Sequence, residues 1–501
     1  MARYGCWLGR LTLVQALICS HAAADTLAVG PGKAWATPCA AVAAAHDNDV
    51  IEIDAAGDYS GDVCSVAKNG LTLRGVNGRA KIDAQGKNAG GKGIWVVTGH
   101  DTTVENLEFS GATVPDQNGA GIRQEGDNLT VRGCYFHDNE NGILSGASPQ
   151  SQILIEHTEF ARNGFGDGYS HNMYIGNVAR FTLRYSYSHD SKVGHLVKSR
   201  AAENFITYNR LSSEQGSTSY ELDLPNLGRS FVIGNLIEQG ENAENPSLLS
   251  YGLEGTVAGN PDHELYVVNN TFVNDRPNGG TFVNIGNAVD VPALLQNNIF
   301  AGPGTLTNQA SATNTSNFSG GDPRFVDRAA FDYTLEAGSP CIDQGSAPGM
   351  AEGVSLLPEW QYLHPAGARA RVGVGTIDVG AYEFGTGNQP ASGGASGISG
   401  AAGAEVATSG AASTAGGAAT NGGGVGGSAP SATPNAKDDG GCSCHVSGST
   451  SGSAWWLALL VPALAMLRRS AISERGGGNL TLRSSTLRCA EDVRRAAAGR
   501  W

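Results

Sequence analysis

A short strand-like segment returns along this chain at a nearly fixed interval, and that repeat limits the fold more than any other feature. The segments include "VENLEFSG", "VRGCYFHDN", "IEHTEFARN", "LRYSYSHDS", "ITYNRLSSE", "VIGNLIEQG", "VVNNTFVND" and "LQNNIFAGP". Their matching apolar positions are Phe109, Phe136, Phe160, Tyr187, Leu211, Ile237, Phe272 and Phe300. Successive steps are 24 to 28 residues, apart from one of 35 between Ile237 and Phe272. A period in the twenties, built from strands with no helical pattern, specifies a solenoid whose coils bury their apolar sides only against one another. The leucine spacing of leucine-rich repeats is absent. The expected architecture is therefore all-β: a right-handed parallel β-helix of stacked coils.

The segments also carry Asn209, Asn235, Asn270 and Asn298, each two residues ahead of the apolar position. Stacked asparagines can hydrogen-bond from coil to coil, as identical polar side chains do in cross-β ladders, so these read as structural. An open solenoid end needs a cap. "CAAVAAAHDNDVIEID" suits that task, as a short amphipathic helix leading into the first strand.

The two ends of the chain read differently from its middle. Residues 1–24 have a basic start (Arg3, Arg10), the apolar core "LTLVQALIC" and a small-residue cleavage site, the pattern of an export signal peptide. Residues 25–384 hold the β-helix. Residues 385–440 are rich in glycine, alanine and serine and have almost nothing to bury, so they are expected to be a disordered linker. Residues 441–469 contain "CSC", the apolar run "AWWLALLVPALAML" and Arg468-Arg469, which read as a short transmembrane helix with its basic flank inside. No role is assigned to the tail, 470–501. The net charge of −14 argues against nucleic acid as a partner, and no oligomer is expected.

Two stretches carry family resemblances. "GDYSGDV" and "KNGLTLRGVNGRAKIDAQG" are similar to the opening coils of the pectate-lyase-like β-helix superfamily, and "DPRFVDRAAFDYTLEAGSPCIDQGS" followed by "IDVGAYEF" is similar to the closing segment of many exported bacterial β-helix proteins. That superfamily holds lyases, hydrolases, epimerases and proteins with no known reaction, so the likeness implies fold more than chemistry. Residues 442–469 resemble the myxobacterial surface-sorting signal, which implies a cell-surface or outer-envelope location, with release after processing as a variant. In an exported protein, Cys39 and Cys64 form a plausible disulfide that closes the start of the fold.

Alternation along the strands points to one outward strip. In "HNMYIGN", inward Met173 and Ile175 leave Asn172 and Tyr174 outward. In "HLVKSR", inward Val197 leaves Lys198 and Arg200 outward; in "SYELDLP", inward Leu222 leaves Glu221 and Asp223 outward. Glu254 in "LLSYGLEG" extends the strip. His137, His157, His171, His189 and His195 fall in the coils before or within it.

These groups match the needs of uronate β-elimination, which takes a base for the C5 proton, positive charge for the developing enolate and an acid for the leaving oxygen. Lys198 is the expected base, Arg200 the charge stabiliser, and Tyr174 or His195 the acid. His171, Asn172, Glu221, Asp223 and Glu254 are expected to contact the polysaccharide. Lys198-Ser199 is similar to the Lys-Ser pair of β-helix alginate and chondroitin lyases. Those enzymes have a calcium-binding Glu-x-Glu pair upstream, where this chain has "SKVGH". Other readings stand beside this one. Glu221 and Asp223 could serve as a glycosidase pair or as oxygen ligands of Ca²⁺. The strip could also be a salt-bridged face of a non-catalytic glycan-binding or structural protein.

Overall fold

The computed structural model describes residues 24–256 and 260–385. The signal segment, the transmembrane segment, the tail and nearly all of the linker read from sequence lie outside them. Among the described residues, no helix is long and apolar enough to cross a membrane.

The chain winds as a parallel β-solenoid of three sheets. The first has twelve strands, from Thr26–Val29 to Thr313–Thr315. The second has ten, from Ala80–Asp83 to Phe318–Ser319, and the third has ten, from Cys64–Val66 to Thr305–Thr307. A typical coil contributes Val178–Arg184 to the first sheet, Tyr187–His189 to the second and Val197–Ser199 to the third. Each strand pairs in parallel with its counterparts one coil away, so like positions stack at strand spacing.

The corner between the first and second sheets explains part of the repeat. Tyr208, Gly234, Asn269 and Asn297 all hold left-handed φ, between 52° and 68°, as does His157 at 52°. The next residue in four of these coils is a ladder asparagine. Asn209 donates from its backbone N–H and from Nδ2 to Asn235 Oδ1 at 2.9 and 3.0 Å. Asn235 does the same to Asn270, Asn270 to Asn298, and Asn298 to Asn317. Each buried amide thus satisfies two donors of the preceding coil, which removes the cost of burying a turn.

Inside, Phe109, Phe136 and Phe160 stack with ring centroids 5.0 Å apart, and Phe272 stacks on Phe300 at 5.2 Å. Such pairs contribute about 0.5–1.5 kcal/mol each beyond area burial. One coil departs from the expected alignment. Phe160 pairs with Ser188, and Ser188 with Leu211, so Ser188 takes the inward slot assigned to Tyr187. A one-residue slip reverses the face, and Tyr187 points outward. The serine is tolerated inside because its Oγ donates to Leu196 O at 2.9 Å and accepts from Asn172 Nδ2 at 3.0 Å.

A helix, Pro38–Ala44, precedes the second strand of the first sheet, with Thr37 as N-cap and Pro38, Ala41 and Val42 buried. Cys39 and Cys64 are disulfide-bonded, tying the helix to the third sheet. After the last coil the chain forms three small antiparallel pairs between Phe325 and Ala370. Tyr333, Leu335 and Tyr362 pack with Tyr187 and Leu236 on the second sheet, and Leu356 packs with Tyr208 and Phe231 on the first. Outward residues of these two sheets therefore become packing residues. A buried ion pair, Arg371 with Glu383 at 2.9 Å, fastens the end of this segment.

Candidate functional site

The third sheet sets four outward positions in register. Tyr174 pairs with Lys198, Lys198 with Asp223, and Asp223 with Ser250, giving one column across four coils. Val197 and Leu222 alternate inward into the core, as the apolar pattern requires. Lys198 Nζ lies 3.2 Å from Asp223 Oδ2 and 3.4 Å from Glu254 Oε1. Ser250 Oγ donates to Asp223 Oδ1 at 2.5 Å.

Arg200 follows Lys198 by two residues and ties the column together. Its Nε donates to the Tyr174 hydroxyl at 2.7 Å, and its Nη1 donates to Glu254 Oε2 at 2.7 Å and to Asn226 Oδ1. Burial alone would weaken the charge on Arg200, but the bonds to Glu254 and Tyr174 outweigh it and raise its pKa. One carboxylate, Glu254, thus bridges two cations with one oxygen each. Glu254 sits on the long turn after Ser247–Tyr251, in the coil that carries the extended step of the repeat. The same turn sends Asn260 Nδ2 to Arg200 O at 3.0 Å and to Asn226 O at 3.1 Å.

Two histidines complete the cluster. His171 and His195 stack with centroids 4.4 Å apart, and Tyr220 meets His195 edge-on at 5.0 Å. The His195 backbone N–H donates to His171 Nδ1 at 3.0 Å, which places the His171 proton on Nε2 when the ring is neutral. His195 Nε2 lies 3.5 Å from Asp223 Oδ2. Burial, and then the charges of Lys198 and Arg200, hold the His195 pKa well below the ordinary value. His171 is lowered likewise by burial, then by His195, Lys198 and Arg200. Both rings are therefore neutral near pH 7.

Of the residues expected in the strip, Tyr174, His195, Lys198, Arg200, Asp223, Glu254 and His171 come together. Asn172 and Glu221 do not. Each immediately precedes its strand, at the corner entering the third sheet, where strict alternation does not apply. Asn172 is fully buried and ends a second ladder, accepting from Asn163 Nδ2 at 3.0 Å and donating to His189 O at 2.9 Å. Glu221 is fully buried as well, with Oε1 accepting from Ser213 Oγ at 2.6 Å and Oε2 from Gln239 Nε2 at 3.2 Å. Burial, reinforced by Glu238, pushes its pKa well above the ordinary value. Glu221 and Asp223 therefore do not present paired oxygens on one surface. That removes the hydrolytic pair, and the calcium site, built on those two carboxylates.

Three other histidines lie elsewhere. His157 is a corner residue, while His137 and His189 stand on the second sheet, beside carboxylates. Among the described residues, His189, Asp190 and Glu214 have potential metal-ligand atoms within 4.8 Å of one another, away from the strip. Sequence reasoning missed Ser250 and Asn226. Ser250 is legible once the register is known, as the position one coil beyond Asp223; Asn226 follows its strand and carries no such signal.

The fold and the strip define the class: a parallel β-solenoid with a charged, largely solvent-shielded column on one face. A family model described as "Right handed beta helix region" matches residues 69–209. Among solved structures, the crystal structure of pectate lyase Pel9A matches with a TM-score of 0.47 and 14% identity, over 72% of this chain and 96% of that one. No curated protein sequence matches.

Proposed function

We propose that the outward strip of the third sheet binds a carboxylate-bearing polysaccharide and cleaves it by β-elimination at a uronate unit. The observation that carries this reading is the bridge made by Glu254, whose carboxylate lies 3.4 Å from Lys198 Nζ and 2.7 Å from Arg200 Nη1. Two cations that grip one carboxylate form a seat for another. Lys198 has two carboxylates as its nearest charged partners, which suits it to the charge-stabilising role beside Arg200 rather than to the role of base read from sequence. As the C5 proton leaves, negative charge builds on the uronate carboxylate, where these cations would meet it.

The neutral imidazole of His195 is the proton acceptor in the cluster. Tyr174 accepts from Arg200 through its hydroxyl oxygen, which leaves its own proton to give to the departing glycosidic oxygen. In this reading, export through residues 1–24 and attachment through residues 441–469 hold the strip outside the cell, where acidic polysaccharides are encountered.

A second reading, non-catalytic binding, is favoured by one fact: each charged side chain of the strip already has a partner within it. One experiment separates the two. The purified full-length protein is incubated with polygalacturonate, alginate and chondroitin sulfate, and the ultraviolet absorbance of unsaturated chain ends is followed. β-Elimination requires a rise with one of these polymers that is lost in His195→Ala and reduced in Tyr174→Phe. A flat trace with unchanged polymer length, together with retention on an immobilised polymer that Arg200→Ala abolishes, leaves the binding reading.

A further inference from the structure

A cavity of about 370 Å³ lies between the outer face of the second sheet and the C-terminal segment, apart from the strip. Its solenoid wall is formed by Tyr187, Arg210 and Leu236, and its opposite wall by Phe331, Tyr362 and Tyr382. The volume falls in the range of small-molecule sites. Ala330 and His364 at the edge are exposed, and Phe331 and Asp332 are half-buried, so the cavity opens to solvent on that side.

Arg210 is the unusual member. It is 7% exposed and lies between two rings, with its guanidinium carbon 5.0 Å from the Tyr187 centroid and 4.9 Å from that of Phe331. Nη2 donates to Glu214 Oε1 at 2.7 Å, yet the buried Nε has no hydrogen-bond partner. That Nε is closed off from solvent, so the polar contacts a ligand could make here fall to the carboxylates of Glu214 and Asp332. The charge of Arg210 is already matched by Glu214, and Asp332 adds a second carboxylate to the lining. An anionic ligand is thereby disfavoured. Aromatic walls and nearby carboxylate acceptors suit a neutral ring that has apolar faces and hydroxyl edges.

We propose that this cavity is a second carbohydrate site, which takes one neutral pyranose unit with a C–H face against the half-buried rings of Phe331 and Tyr382 and hydroxyls that donate to Glu214 and Asp332. It uses none of the residues of the strip and stands whether or not the strip is catalytic. Such a site would hold a neutral portion of a glycan, or a neutral branch, on a different face of the solenoid.

The test is saturation-transfer NMR on the full-length protein with the methyl glycosides of glucose, galactose and mannose. Transfer to at least one glycoside is expected. It should be lost in Ala330→Trp, which blocks the mouth, and in Leu236→Trp, which fills the cavity from the solenoid side. Variants are compared only where their melting matches the parent, and the exposed Ala330 position keeps at least one of them readable. Absence of transfer from all three glycosides overturns the proposal. So does transfer that survives Ala330→Trp.

Discussion

Lys198 and Asp223 occupy adjacent places in one outward column of the third sheet, with Nζ 3.2 Å from Oδ2 and side chains only 11% and 5% exposed. Asp223 also accepts from Ser250 and faces His195, so it anchors the strip. Breaking a buried pair from one side leaves an uncompensated charge. Asp223→Asn should therefore cost about 3 kcal/mol in denaturant unfolding, while replacing both partners with apolar residues (Lys198→Met with Asp223→Leu) recovers most of it. A loss below about 0.5 kcal/mol for Asp223→Asn would show that water screens the pair.

Glu254 differs from Asp223 in being 47% exposed, although it bridges the same lysine to Arg200. Its removal should matter little for the fold, less than about 1 kcal/mol. If its carboxylate occupies the seat of a uronate, then Glu254→Gln frees that seat and oligogalacturonate should bind about fivefold tighter by calorimetry. Unchanged or weaker binding would mean that Glu254 touches the glycan itself or lies outside its path.

The period of the repeat disclosed the solenoid, because stacking is the one way a strand repeat of that length can bury its apolar side. It also exposed the asparagine ladder and most of the outward column, since Val197 and Leu222 fix their neighbours by alternation. What alternation could not reach were the corners. Asn172 and Glu221 look outward by parity but precede their strands, and hydrogen bonds to Asn163 and Ser213 draw them inside. Ser188 was hidden for a related reason: a polar residue can fill a core slot when Asn172 and Leu196 O satisfy it, and sequence periodicity sees only the adjacent tyrosine. The Arg200–Glu254 contact spans 54 residues and arises from a turn, so no local pattern records it.

The ladder offers a sharper stability test than the aromatic stack. Asn235 Oδ1 takes two donors from Asn209, while its own Nδ2 donates to Ile206 O at 2.7 Å and to Asn270 Oδ1 at 2.9 Å. Asn235→Ala strands the Asn209 backbone N–H and amide in a fully buried corner. At about 1–3 kcal/mol for each unsatisfied group, the loss should reach at least about 2 kcal/mol. Hydrogen exchange should show the Asn209 amide losing protection first. Uniform loss across the coils, with Asn209 still protected, would contradict a local role for the ladder.

A buried carboxylate on the second sheet makes stability depend on pH in a direction opposite to ordinary acid denaturation. Glu238 lies on the outer face, 2% exposed, with Oε2 accepting from Ser212 Oγ at 2.5 Å and from the Glu214 N–H at 3.0 Å. Burial raises its pKa from 4.5 to about 7, although those two bonds pull the other way. A carboxyl whose folded pKa lies above its unfolded one stabilises the fold fully below about pH 4.5, and loses that contribution as pH rises through about 7. Glu238→Gln keeps an acceptor for Ser212 and Glu214 and carries no charge at any pH. The variant should therefore match the parent near pH 4.5 and exceed it by about 3 kcal/mol above pH 8, at 1.36 kcal/mol per pKa unit. Glu221, raised in the same direction by burial, should add to the same slope when replaced by glutamine. Paired unfolding curves of parent and variant across that range measure the difference directly. A gap that shrinks with rising pH would mean that Glu238 is charged, and well paired, in the folded protein.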